Sequence, residues 1–159
     1  MSKRQVDDLE NTLHAMQDKI DTLKKSASSK QARIKEVDEL LRMVDYYKSG
    51  KPAADKLKSI RFEKSRQKYK SEHDNELRTF YMAERKLKPY FKDGKLPITS
   101  WRKERAQLEQ EYRDIQTELS PLHADAKKLW AIHYNIYEVQ HEQEGQNTAT
   151  RQKKQEIER

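Results

Sequence analysis

The sequence has no cysteine, and only 3 glycines and 4 prolines among its 159 residues. Without cysteine there is no disulfide framework, no thiolate nucleophile and no cysteine-based zinc site. Gly50, Gly94 and Gly145 stand far apart, so no glycine-rich loop can form to cradle a phosphate. Apolar residues are scarce as well, at 33% against 38% charged. A compact globule of this length needs more apolar material than that. No segment approaches the roughly 20 apolar residues of a membrane-crossing helix. The opening residues, MSKRQVDDLE, lack the apolar centre of a secretory signal. A soluble, cytoplasmic chain is expected.

Two states fit such a composition: disorder, or long helices that each bury a narrow stripe. Periodicity selects the second. Val6, Leu9, Leu13, Met16, Ile20, Leu23, Ala27, Lys30, Ile34, Val37, Leu41 and Val44 follow a strict 3-4 spacing, and eleven of these twelve are apolar. This is the pattern of a coiled-coil seam. The seam is weakest where Ala27 and Lys30 lie among Ser26, Ser28 and Ser29, and a break or hinge is expected near 26–30. Ser49-Gly50-Lys51-Pro52 offers a C-terminal glycine and a following proline, so the first helix is expected over 3–47. Residues 53–62 are expected as a short helix or a linker.

A second helix fits 63–91, with Leu77, Phe80, Leu87 and Phe91 on one face and Pro89 in its last turn. Lys92-Asp93-Gly94-Lys95 reads as a turn. A third helix, over 100–140 with Thr99 or Ser100 as N-cap, carries Trp101, Leu108, Tyr112, Ile115, Leu119, Leu122, Ala126, Leu129 and Ile136. This stripe stays in phase across Pro121, which predicts one helix kinked there. Residues 141–159 have almost no apolar anchors and are expected to be a disordered tail. The fold class is therefore all-α: long amphipathic helices forming an antiparallel hairpin or coiled coil, with an additional helix, as one elongated domain over 1–140. The competing arrangement is a parallel homodimer through the first helix.

No catalytic constellation emerges. His14, His73, His123, His133 and His141 contain no pair at metal-ligand spacing, and His73-Asp74 would point in different directions on a helix. The carboxylates lie among Lys and Arg at helical spacing, as surface ion pairs do. Tyr46-Tyr47 has no neighbouring group to activate a phenol and reads as an aromatic end to the first helix. No enzymatic activity, cofactor or metal is expected of this chain.

The charge is informative in its placement. Residues 51–70 hold 8 basic and 2 acidic side chains and residues 84–105 a further excess of five, while the flanks are near neutral or acidic. Concentrated basic surface is the footprint of a polyanion binder. In KPAADKLKSIRFEKSRQKYK, the cations Lys56, Lys58, Arg61, Lys64, Arg66, Lys68 and Lys70 alternate with Phe62 and Tyr69. Cations neutralise phosphates, and exposed aromatic rings stack on unpaired bases. Equally, the two rings can pack into the core and the lysines stand in solvent. A second set, Arg85, Lys86, Lys88, Lys92, Lys95, Arg102, Lys103 and Arg105, flanks the 92–100 turn and is close enough in sequence to join the first.

Several stretches carry a family resemblance: VDELLRMVDYYKSGKP (37–52), FEKSRQKYKSEHDNELRTFYMAERKLKPYF (62–91), LPITSWRKERAQLEQEY (96–112) and KKLWAIHYNIYEV (127–139). Together they resemble the helical C-terminal region of relaxase/mobilisation proteins from conjugative and mobilisable elements of Firmicutes. Such relaxases nick one DNA strand with a His-rich metal site and a tyrosine nucleophile in an N-terminal domain. None of that motif is present, so no catalytic residue carries over. The resemblance implies a portion outside the nuclease, with Met1 an internal start, that holds DNA and docks to conjugation or relaxosome proteins. The alternative expectation is a coiled-coil dimerisation or protein-docking module without nucleic acid.

Overall fold

The computed structural model describes the backbone of residues 2–157 and the side chains of residues 2–143 and 145. It is all-α: α1 (Lys3–Ser59), α2 (Glu63–Glu72), α3 (Asp74–Leu87), a single 3-10 turn (Lys88–Tyr90) and α4 (Ile98–Ile157). α1 and α4 pack antiparallel. The chain divides into two compact units, Ser28–Tyr112 and the pair Met1–Ala27 with Arg113–Arg159.

In the unit Ser28–Tyr112, α3 supplies the third layer. Its buried residues Leu77, Phe80, Ala83 and Leu87 recur at helical spacing and give it one apolar face. The C-terminal part of that face closes a core with Val37, Leu40, Met43 and Val44 of α1 and Trp101 of α4. The N-terminal part packs Leu77 and Phe80 on Ala53, Ala54 and Leu57. Each fully buried leucine or phenylalanine here contributes about 1.5–3 kcal/mol of transfer free energy. The antiparallel pairing of α1 with α4 is pinned by Lys30 to Glu111 (2.8 Å) and Arg33 to Glu104 (2.6 Å), since the α4 partner falls in number as the α1 partner rises.

The second contact explains why α1 does not stop near Tyr47. Gly50, Ala53 and Ala54, at i, i+3 and i+4, are a stripe of small residues that admits α3 closely, with Leu57 at i+7 packing beside it. A Cβ placed on Gly50 would lie 2.5 Å from Phe80 Cβ. Gly50 is thus a crossing point, not a helix cap, and α1 runs on through Pro52 to Ser59. The packing against α3 outweighs the hydrogen bond that proline cannot donate.

Three further boundaries differ from expectation. The helix expected over 63–91 is broken at His73 (φ −115°, ψ 25°), which separates α2 from α3. α3 ends at Leu87, and Pro89 sits in the 3-10 turn that follows. α4 begins at Ile98, with Trp101 N–H donating to the Pro97 carbonyl (3.0 Å), so Thr99 and Ser100 lie inside the first turn and are not its N-cap. The turn at 92–95 forms as a two-residue connection: Lys92 and Lys95 exchange both backbone hydrogen bonds at 2.9 Å. Asp93 (φ 54°) and Gly94 (φ 73°) both take the left-handed conformation that this turn type requires.

In the other unit, the buried residues are Leu13, Ile20 and Ala27 on α1 and Ile115, Leu119 and Ala126 on α4. Glu10 meets His133 (3.1 Å) and Lys19 meets Glu118 (3.4 Å), again antiparallel. α1 is helical through Ser26–Lys30 and α4 through Pro121, and the boundary between the two units falls at Ala27/Ser28, inside the stretch where a hinge is expected. Helical backbone continues over residues 141–157 of the tail expected at 141–159, and residues 158–159 lie outside the described residues. The side chains of residues 146–159 lie outside the described residues.

Every position of the expected α1 stripe, from Val6 to Val44, is buried or half-buried. The stripe that would have served a homodimer through the first helix is covered by α4 of the same chain. No helix among the described residues is long and apolar enough to cross a membrane.

Candidate nucleic-acid interface

The cations of this chain fall into two groups that look alike in sequence. One group is neutralised. Arg33 forms a two-pronged pair with Glu104, Nε to Oε1 at 2.6 Å and Nη2 to Oε2 at 3.1 Å, and also reaches Glu36 (3.0 Å). Lys30 donates to Glu111 (2.8 Å), and Arg105 to Asp38 and Glu109. These contacts shift the groups as expected of charge-assisted hydrogen bonds. The Arg33 hydrogen bond holds the Glu104 carboxyl below the usual range, and the Lys30 hydrogen bond does the same for Glu111. Asp38 holds the Arg105 guanidinium firmly charged. Arg105, counted by sequence with the second basic set, is therefore a strut of the hairpin. Lys86 is likewise engaged by Glu39, at 3.6 Å.

The other group has no acidic partner. Lys56, Lys58, Arg61, Lys64, Arg66, Lys68 and Lys70 are all exposed. Among the described residues none of the seven forms an ion pair with a carboxylate, whereas Lys51, just upstream, is paired with Asp55. Arg85, Lys88, Arg102 and Lys103 are also exposed and without an ion pair among the described residues.

The local fold explains how the first seven are presented. α2 has no buried residue, and Tyr69 is its single half-buried side chain. Tyr69 packs against the Ala53, Ala54, Leu57, Leu77 and Phe80 core, meets the His73 ring in a tilted contact (4.2 Å between ring centroids), and lies under the Lys56 ammonium (5.3 Å). With Tyr69 facing inward, the i,i+4 pairs Lys64/Lys68 and Arg66/Lys70 emerge on its two sides. Arg66 and Lys70, with Gln67, Glu63, Leu57 and Tyr81, line a cleft of about 410 Å³.

The two aromatics of this segment part company. Tyr69 is a packing residue. Phe62 sits in extended backbone at the start of α2 (φ −86°, ψ 126°) and is 77% exposed, the most exposed large apolar side chain among the described residues. It stands between Arg61 and Glu63 with no aromatic neighbour among the described residues.

The second basic set lies on the end of α3, the 3-10 turn and the start of α4. Arg85 and Lys86 close α3 at the end that packs on Val37–Val44, while Leu77 at its other end packs on Leu57, beside the 56–70 segment.

No group of three or more metal-binding side chains occurs among the described residues. No protein-family model matches the chain, and no curated protein or solved structure matches it either.

Proposed function

We propose that this chain binds nucleic acid, DNA in the first instance, through the basic segment 56–70. The observation that carries the reading is α2 itself. A ten-residue helix with no buried side chain has little intrinsic reason to be helical in water. What it presents is four cations, Lys64, Arg66, Lys68 and Lys70, with no acidic partner. Lys30, Arg33, Lys51 and Arg105 are matched with carboxylates, and the lack of such partners here leaves a concentrated field for phosphates. Phe62, bare and between Arg61 and Glu63 with Lys64 one residue on, adds a ring on which an unpaired base can stack. Arg85, Lys88, Arg102 and Lys103 offer a second contact region farther along the same duplex or strand.

The same reading makes the chain a non-catalytic helical portion of a relaxase/mobilisation protein, acting in the cytoplasm alongside relaxosome partners. That step is supported by the sequence resemblance over 37–139 alone.

Fluorescence anisotropy with single- and double-stranded DNA across salt tests the binding. Wild type is compared with the variant Lys64→Glu, Arg66→Glu, Lys68→Glu, Lys70→Glu. The expected result is affinity that falls steeply with salt, with a log–log slope reduced by about 3–4 in the variant. Absence of binding at low salt, or binding unchanged in the variant, overturns the reading.

A further inference from the structure

Residues 129–139 depart from the rest of α4. LWAIHYNIYEV has 8 apolar residues in 11, against 3 in the 11 residues of RKERAQLEQEY (102–112). A helix that pairs with one neighbour needs only about two apolar positions in seven. Here α1 covers the stripe Leu129, His133 and Ile136, which is half-buried. It leaves Trp130, Tyr134 and Tyr137 exposed at i, i+4 and i+7, one flank of the helix, with Tyr134 at 61%. The rings are held rather than splayed: Trp130 stands edge-on to His133 (5.6 Å) and Tyr137 edge-on to His141 (4.3 Å). Amphipathic aromatics clustered in the open mark an interaction surface.

The charges bordering this flank say what covers it. Lys127 lies at its N-terminal end and Glu138 at its C-terminal end, with Lys128 and Glu142 farther round the helix behind them; all four are exposed and none is in an ion pair within the chain among the described residues. A surface that is basic at one end, aromatic in the middle and acidic at the other is complementary to itself turned through 180°. We propose that this flank is the seat of a second copy of the chain, docked antiparallel about a two-fold axis near Tyr134. Each Lys127/Lys128 end then faces the Glu138/Glu142 end of the other copy, and the aromatic rings of both meet in the middle. A two-fold interface of this kind repeats every favourable pair twice. Parallel pairing sets lysine against lysine and glutamate against glutamate. The inference is independent of nucleic-acid binding.

Sedimentation equilibrium of the full chain, without DNA, tests it. Wild type is compared with Tyr134→Lys, with Lys127→Glu/Lys128→Glu, with Glu138→Lys/Glu142→Lys, and with an equimolar mixture of the two charge-reversed chains. Far-UV circular dichroism checks that each remains helical. Wild type is expected to dimerise and Tyr134→Lys to be monomeric. Each charge-reversed chain alone associates about tenfold or more weakly, and the mixture regains wild-type association as a heterodimer. A wild type that stays monomeric at all concentrations overturns the proposal. So does a dimer indifferent to Tyr134→Lys, or a mixture that fails to regain association.

Discussion

The Arg33 guanidinium grips the Glu104 carboxylate with both prongs, at 2.6 and 3.1 Å, across 71 residues of sequence. The pair fixes which turn of α4 lies beside which turn of α1. Both side chains remain over a third exposed, so the energetic worth is that of a well-formed surface pair. Arg33→Ala is expected to cost about 0.5–1 kcal/mol in urea unfolding. A double-mutant cycle with Glu104→Ala isolates the coupling. A coupling of zero removes the pair as a register-setting contact.

The same contacts predict acid sensitivity. Glu104 and Glu111 are held below the ordinary glutamate value of about 4.3 by Arg33 and Lys30. The folded chain therefore binds fewer protons than the unfolded chain in this range. The stability these carboxylates contribute is fully present above the ordinary value and is lost as pH falls through their folded values. Urea midpoints measured between pH 6 and pH 3 should fall. Glu104→Gln should be less stable at pH 6, with a smaller decline on acidification.

Gly50 and Gly145 predict opposite signs for one chemical change. Alanine is the better helix former by about 1 kcal/mol. At Gly145 a Cβ meets nothing within 4 Å, so Gly145→Ala should leave stability unchanged or raise it. At Gly50 the added Cβ runs into Phe80 Cβ and comes within 3.2 Å of the Glu76 carbonyl. Gly50→Ala is therefore expected to lower stability by about 1–3 kcal/mol through overpacking. A neutral Gly50→Ala in thermal unfolding would show that α3 can move away at no cost.

Phe62 separates the two forms of nucleic acid. Its exposed ring can stack only where a base is unpaired. Phe62→Ala should weaken single-stranded DNA by about 1–3 kcal/mol and leave duplex binding and thermal stability nearly unchanged. Equal losses for both would assign binding to charge alone.

The helical stripes were legible because burial acts on them one residue at a time. Each position from Val6 to Val44 and from Trp101 to Ile136 that the 3-4 spacing selects is shielded in the fold. The end of α1 was not legible. Gly50 and Pro52 read as a stop when only local preference is weighed, and their meaning changes once Phe80 lies over Gly50. Yet Gly50, Ala53, Ala54 and Leu57 already carried the signal of a close helix crossing. The break at His73 has no proline or glycine to announce it. For the candidate interface, sequence located the basic segment but could not sort its cations from the rest. Arg105 and Lys64 are equivalent in composition. They differ because the pairing of α1 with α4 brings Asp38 to Arg105, and nothing acidic comes to Lys64.

Tyr69 is the one side chain by which α2 holds to the body of the fold. A segment with so little buried area opens at a cost well below that of global unfolding. Its amides should therefore exchange with solvent far sooner than those of Val37 or Leu87. Any polyanion that binds the ordered segment must also supply the free energy of ordering it. Helicity in residues 63–72 then becomes a quantity that ligand concentration and ionic strength set, rather than a fixed property of the chain.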